Sequence, residues 1–387
     1  MRSSTGRRLG ALALVPLFAI TACGGSGTED GADAAPLEPA AAAQRLDEVC
    51  PSTVVVQLQW QPQSDMGALF EMLGPGYTVD QDGNAVTGPL VAGGKDTGVR
   101  LTLRAGGPAI GFQSVTSQMY ADDTIHLGLV HADQLIAASG EQRVVGVTPL
   151  LKHSPAMLMW DPEAHPGLSI DRISGTDASV VVSQDQFFPD WLVAQGYVTE
   201  GQLDPSYDGA PARFVGDSGI VQQGFANSEP YTYEEETPAW GKPVGYQLLK
   251  DVGYDIYASN LTVRADRLDE LSPCLDKLVP VVQQAGADYI TAPEATNERI
   301  VDIVSRDTSY TPYSIGEAAY SAELLRAEGL VANEDDGSIG TYDLARVREF
   351  VTELAPVIRD GGSDVPADIT ADDLFTDQFA DRTIGLP

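Results

Sequence analysis

"TVVVQLQWQPQSDMGALFEML", residues 53–73, runs from a β-branched stretch through a polar turn into a small-residue helix pattern. Val54, Val55 and Val56 favour an extended chain, because branched side chains pack well on a pleated surface. Met66, Gly67 and Ala68 then open "MGALFEML", which the apolar spacing predicts to be helical. The turn between them carries more than a turn needs. Gly, Asn or Pro suffice to reverse a chain. Here Gln57, Trp60, Gln63, Ser64 and Asp65 place a ring, two amides, a hydroxyl and a carboxylate together, which points to something being held.

The same alternation continues downstream. "GVRLTLRAGG" (98–107), "IHLGLV" (125–130) and "RVVGVTPLL" (143–151) read as strands. "FQSVTSQMYADD" (112–123) and "ADQLIAASG" (132–140) between them read as helices. Short apolar strands alternating with helices predict an α/β sheet with a largely parallel core. "AMLMWDPEAHPG" (156–167) then reads as a crossing into a second unit. In that unit "ASVVVSQ" (178–184) and "ARFVG" (212–216) read as strands, and "FFPDWLVAQG" (187–196) and "SGIVQQGFANS" (218–228) as helices. "GYDIYASNLTVRADRL" (253–268) reads as the returning strand and second crossing. Helices follow over 266–286, 297–306, 321–330 and 342–361.

The expected architecture is therefore α/β, in two lobes joined by two hinge crossings near 156–162 and 254–264. Residues 46–157 and 262–387 are assigned to the first lobe and 158–261 to the second. A chain of 387 residues is long enough for two cores. Its 56 acidic against 23 basic residues give a net charge of −33. That balance argues against nucleic acid, whose phosphates are neutralised by Lys and Arg; otherwise it serves solubility.

The N-terminus reads as a processed leader. "MRSSTGRR" is a basic head and "LGALALVPLFAI" an apolar stretch too short to span a bilayer. "ITAC" (20–23) resembles a bacterial lipobox, which implies removal of residues 1–22 and lipid attachment at Cys23. The Gly, Ala and acidic composition of residues 23–45 reads as a flexible tether. Cys50 and Cys274 then remain as a pair, and an exported chain permits a disulfide between them.

Ligands of open α/β sheets bind beyond the carboxyl ends of strands. Three such turns carry side-chain chemistry. The first has Trp60, Gln63, Ser64 and Asp65. The second, "LVHADQ", has His131, Asp133 and Gln134. The third, "VGDSGIVQQGFANSEPY", has Asp217 and Ser218, then Glu229 and Tyr231. Gly106 and Gly107 in "RAGGPAIG" let main-chain N–H groups approach a ligand. Taken singly, Asp65, Asp133, Asp217 and Ser218 are each better explained as helix caps; the ligand reading rests on all three sets lying at equivalent strand ends. His126, His131, His153 and His165 lack metal spacing, and neither a P-loop nor G-x-S-x-G occurs. No cofactor, metal or catalytic residue is expected. "GGKDTG" (93–98) reads as a solvated turn.

In order along the chain, the lipobox, the tether, the strand followed by "QWQP", "GGP", "ADQLIAA", "QGFANSEPY" and "GYDIYASNLTVRADRLDELSP" resemble bacterial extracytoplasmic solute-binding proteins. The pattern spans about residues 52–310 and is most similar to the nitrate/sulfonate/taurine and thiamine-pyrimidine-precursor binding family of ABC importers. The resemblance implies a type II periplasmic-binding fold that clamps a small-molecule solute between its lobes. It further implies a monomer, membrane attachment through a lipid, and ABC permease subunits as partners. The family's aromatic falls on Trp60, its turn polar residue on Ser64 or Asp65, and its acidic residues on Asp133 and Glu229. The usual "W-x-P-N…H-x-G" reads "WQPQSDMG" here, so ligand identity does not carry over. Fungal pyrimidine-precursor synthases share the superfamily but use a cysteine-rich motif, which three scattered cysteines do not form. The excess of carboxylates favours an amine-bearing or heteroaromatic solute, with Arg104 and the glycine turn as the alternative seat for an anion.

Overall fold

A computed structural model describes residues 36–184 and 186–387. The leader and Cys23 lie outside the described residues. The first strand is β1 (Thr53–Gln57), and the 3-10 turn Ser64–Met66 leads into α1 (Gly67–Glu71). Then come β2 (Thr78–Asp80), β3 (Ala85–Ala92), β4 (Lys95–Arg104), α2 (Val115–Ala121), β5 (Leu127–Val130), α3 (Ala132–Ala137) and β6 (Val144–Leu151). The middle of the chain supplies β7 (Ala156–Trp160), β8 (Val180–Val181), α4 (Phe188–Ala194), β9 (Leu203–Asp204), α5 (Ala212–Gly216) and β10 (Val221–Phe225). After it come the single turn α6 (Glu229–Tyr231), β11 (Gly245–Leu248) and β12 (Ala258–Arg264). The remainder is helical: α7 (Leu268–Thr291), α8 (Glu294–Arg306), α9 (Ile315–Ala327), α10 (Leu344–Asp360) and α11 (Ala371–Leu374).

The strands form two mixed sheets. The seven-stranded sheet has the order β2-β3-β4-β1-β5-β12-β6, and the five-stranded sheet β11-β7-β10-β8-β9. In the larger sheet, parallel pairing is confined to β4–β1–β5; β12 lies antiparallel between β5 and β6. The β2-β3-β4 meander was read only in part. Its β3–β4 hairpin turns at exposed Gly93 and Gly94, both with positive φ, which glycine adopts without a Cβ penalty.

The chain changes sheets at 152–155 and 249–257, earlier than the sequence reading placed it. "AMLMW" is a full strand of the second sheet, and its five residues are all buried. Residues 258–261 belong to the first sheet, so the second-lobe sheet is built from 156–248. Two further elements exchange character: "ARFVG" is helical and "VQQGF" within "SGIVQQGFANS" is a strand. Gln222 and Gln223 are buried between neighbouring strands, with Gln222 Nε2 donating to Tyr233 OH at 3.2 Å and Gln223 Oε1 accepting from Ser183 N at 2.7 Å.

The tether also ends sooner than expected. Ala40 N donates to Asp96 O and Asp96 N to Glu38 O, both at 2.8 Å, so the chain from Glu38 onward runs beside β4. Ala40 and Leu46 are buried there. Cys50 and Cys274 are disulfide-bonded, which joins this entry segment to α7 across 224 residues of sequence.

Candidate functional site

β1, β4 and β5 end together, and their exits carry the first group of side chains. After β1 the backbone turns sharply against the β4 exit: Gly106 N donates to Trp60 O at 3.0 Å. A Cβ on Gly106 would lie 2.2 Å from Leu58 O, and one on Gly107 2.4 Å from the Trp60 ring. Gly107 also has φ +56. Glycine at both positions is what allows the two exits to meet. Trp60 stays half-buried, 6.0 Å from the ring of Phe112. Phe112 is 61% exposed and has φ +59, a region that costs a side-chain-bearing residue roughly 1 kcal/mol or more.

Gln59 and Asp65 belong to the same turn as Trp60. Gln59 Nε2 donates to Ser259 Oγ at 2.9 Å and lies 3.4 Å from Asp65 Oδ2. Gln59 Oε1 and Asp65 Oδ1 are shielded from solvent and have no hydrogen-bond partner among the described residues. Burial pushes the Asp65 carboxyl up to about 6, offset in part by the N–H groups of Asp65 and Met66. Ser259, fully buried, is held at φ +50, and its N–H donates to His131 Nδ1 at 3.1 Å. Gln59 Oε1 and Asp65 Oδ1 are thus buried acceptors in adjoining side chains, with only the Asp65 and Met66 N–H groups acting on the carboxyl.

Other predicted residues of this lobe are spent internally. Ser64 is fully buried; its hydroxyl bonds Asn297 Oδ1 at 3.0 Å and Ala318 O at 3.3 Å, which anchors the turn to the C-terminal helices. Gln63 is half-buried at the head of the 3-10 turn, its carbonyl accepting from Met66 N at 3.2 Å. Asp133 accepts from Gln134 N and from Tyr254 OH, both at 2.8 Å, and burial raises its carboxyl. It therefore ties α3 to the second crossing. Arg104 donates to Asp122 Oδ2 at 2.7 Å and Thr124 Oγ1 at 3.2 Å, so its charge is already paired.

In the second lobe the exit of β10 carries Glu229 and Tyr231. Glu229 folds back, with Oε2 accepting from Phe225 N at 2.7 Å and Oε1 from Tyr207 OH at 3.0 Å; burial raises its carboxyl. Tyr231 stacks on Tyr320 of α9 with ring centroids 5.6 Å apart. Asp217 and Ser218 do not join this group. Because α5 and β10 exchange the expected types, they precede β10 and lie at its entry. Val221 there pairs with Trp160, while the exit at Phe225 pairs with Ala156 beside the crossing. Asp217 is exposed and caps its own turn through Gly219 N at 3.1 Å; the Ser218 hydroxyl bonds Asp161.

No protein-family model matches the chain, and neither does any curated protein sequence. Solved structures do match. The periplasmic aliphatic sulphonate binding protein SsuA from Escherichia coli superposes with a TM-score of 0.52 at 12% identity, covering 84% of this chain and 92% of that one. The alkanesulfonate-binding protein SsuA from Xanthomonas axonopodis pv. citri, bound to MOPS, gives 0.52 at 10%, covering 84% and 98%. The periplasmic nitrate-binding protein NrtA from Synechocystis PCC 6803 gives 0.51 at 10%, covering 85% and 87%. The chain has the periplasmic-binding fold.

In open α/β sheets ligands bind in crevices beyond the strand exits. Trp60, Asp65, Gly106 and Gly107 gather at one exit; Glu229 and Tyr231 stand at another in the second lobe. Gln59, Ser259 and Phe112 were missed. Gln59 carried a signal, since it follows Gln57 at the two-residue period of a strand face. The positive φ of Ser259 and Phe112 carried none. A depression of about 350 Å³, lined by residues that include Tyr120, Glu141, Arg143 and Asp266, lies away from these exits and contains none of their side chains. Among the described residues, no group of three His, Cys, Asp or Glu side chains is placed to hold a metal, and no helix is long and apolar enough to cross a membrane.

Proposed function

We propose that the chain is the extracytoplasmic solute-binding subunit of an ABC importer. It captures a small solute bearing N–H donors between its lobes and delivers it to permease subunits, with no catalysis of its own. The observation that carries the substrate class is the pair Gln59 Oε1 and Asp65 Oδ1, two buried acceptors that make no hydrogen bond of ordinary geometry, in the turn that carries Trp60. Burying an acceptor unpaired costs about 1–3 kcal/mol, more when charged, and a bound amine or amino-heterocycle removes that cost. Trp60 supplies a face for a flat ring. The fold neighbours include sulphonate and nitrate binders, which is the case for an anion instead. Against it, Arg104 is paired with Asp122, and the Gly106 N–H is donated to Trp60 O.

Titration calorimetry with an aminopyrimidine, nitrate and an alkanesulfonate tests the assignment. Trp60→Ala and Asp65→Asn are each expected to weaken aminopyrimidine binding tenfold or more, consistent with about 1.4 kcal/mol per decade. Tight anion binding indifferent to both substitutions would refute it. The reading also places the protein at the membrane surface through lipid on Cys23. Cys23→Ser is then expected to release it from the membrane fraction, and continued sedimentation with membranes would refute that part.

A further inference from the structure

The C-terminal helices bridge the two lobes on both flanks. On one side α10 packs on α3 of the first lobe and α4 of the second, and Trp191 Nε1 donates to Glu353 Oε1 at 2.6 Å. On the other side stands α9. Its Ala318 lies in the core under the first sheet, and the Ala318 carbonyl accepts from Ser64 Oγ and from Asn297 Nδ2 at 3.1 Å. Its Leu324 and Leu325 lie in the core that contains Met157 and Val181 of the second sheet.

Between those two anchorages, one face of α9 meets the turn after β10. Ser228 Oγ donates to Glu317 Oε1 at 2.6 Å, and Asn227 Nδ2 to Ser321 Oγ at 3.1 Å. Tyr320 OH donates to Ala226 O at 3.1 Å. The Tyr231 hydroxyl sits so close to Gly316 that a Cβ there would be 2.0 Å from it. Residues 226–231 thus form a continuous seam against residues 316–321. With α9 held to the first sheet through Ala318, opening along this flank parts the seam.

We propose that this seam is a proton-gated latch, in which α9 holds the turn after β10 and ionisation of Glu317 loosens the grip. Glu317 is only 5% exposed. Its charged neighbours are carboxylates, Glu229 and Glu236 across the seam; Ser228 and Thr232 face it with hydroxyls, and Tyr313 faces it from its own side. Among the described residues no Lys or Arg pairs with it, and a negative charge introduced there repels two others. Burial accordingly pushes the carboxyl from 4.5 to about 7. A parted seam exposes Glu317 to water and returns it toward 4.5. Closing therefore takes up a proton between those values. The latch is tightest below about pH 4.5, weakens as pH rises through about 7, and changes little above that.

The test uses the whole chain without added solute, so it is independent of the binding proposal. Small-angle scattering and amide exchange over residues 225–231 are compared at pH 5 and pH 8, with exchange corrected for its intrinsic pH dependence. The wild type is expected to be larger at pH 8, with protection across the seam lower by about tenfold or more. Glu317→Gln keeps the hydrogen-bonding shape without a charge and is expected to stay compact and protected at both values. Gly316→Leu drives a side chain into Tyr231 and is expected to be open at both. A wild type that does not respond to pH, a Glu317→Gln variant that responds like the wild type, or a Gly316→Leu variant as closed as the wild type would each overturn the latch.

Discussion

Asp65 is held where an ionised carboxylate is disfavoured, and its environment supplies amide and backbone N–H groups but no cation. The rise of its carboxyl from 3.8 to about 6 means that folding takes up a proton between those values. The solute-free protein therefore loses stability as pH rises from 3.8 through about 6, by on the order of 2–3 kcal/mol for a shift of this size. Asp65→Asn removes the charge and keeps the shape. It is expected to raise the melting temperature by roughly a few degrees at pH 7.5 and to leave it unchanged near pH 4. Calorimetric melting of the two proteins at both pH values checks this; an unstable Asn variant at pH 7.5 would mean that the carboxylate has a partner the geometry does not supply. Ser64 next door illustrates the opposite outcome. It looked as available as Asp65 in the sequence, yet Asn297 and Ala318, more than 230 residues away, consume its hydroxyl.

At the scale of elements, legibility follows how local the deciding forces are. The strand–turn–helix of residues 53–73 was readable because its valines, polar turn and small helical residues all act within twenty positions. "VQQGF" was not. Its five residues are too short for a period, and its strand character comes from ladders with β7 and β8 on either side. That one exchange moved Asp217 and Ser218 from the expected exit of a strand to its entry. The start of the second sheet was hard to read for a related reason: "AMLMW" is apolar throughout because both its faces are covered, so it lacks the alternation that marks a half-buried strand. The Cys50–Cys274 bridge, by contrast, was legible from cysteine count and the leader. Closing so long a loop is worth about 5 kcal/mol by the chain-entropy argument, and it fixes α7 to the entry segment of the first lobe.

Across the whole molecule, the two sheets supply the strand exits and the last quarter of the chain packs against both of them. One buried core contains Val130 and Val144 of the first sheet, Leu158 and Val221 of the second, and Val347 and Leu354 of α10. The crossings are pinned as well: Arg346 of α10 donates to Lys152 O at 2.7 Å on one and to Asp255 Oδ2 at 3.0 Å on the other. Under the proposed function, a solute held between the sheets would be shielded from water, which strengthens each hydrogen bond it makes. The central claim is that the site is completed by a solute with N–H donors at Gln59 and Asp65. Native mass spectrometry of the freshly purified protein tests it most directly. The account predicts a bound mass that fragments as an amine-bearing or amino-heterocyclic compound and is lost in Asp65→Asn. A bound sulfonate, nitrate or other anion, retained by that variant, would contradict it.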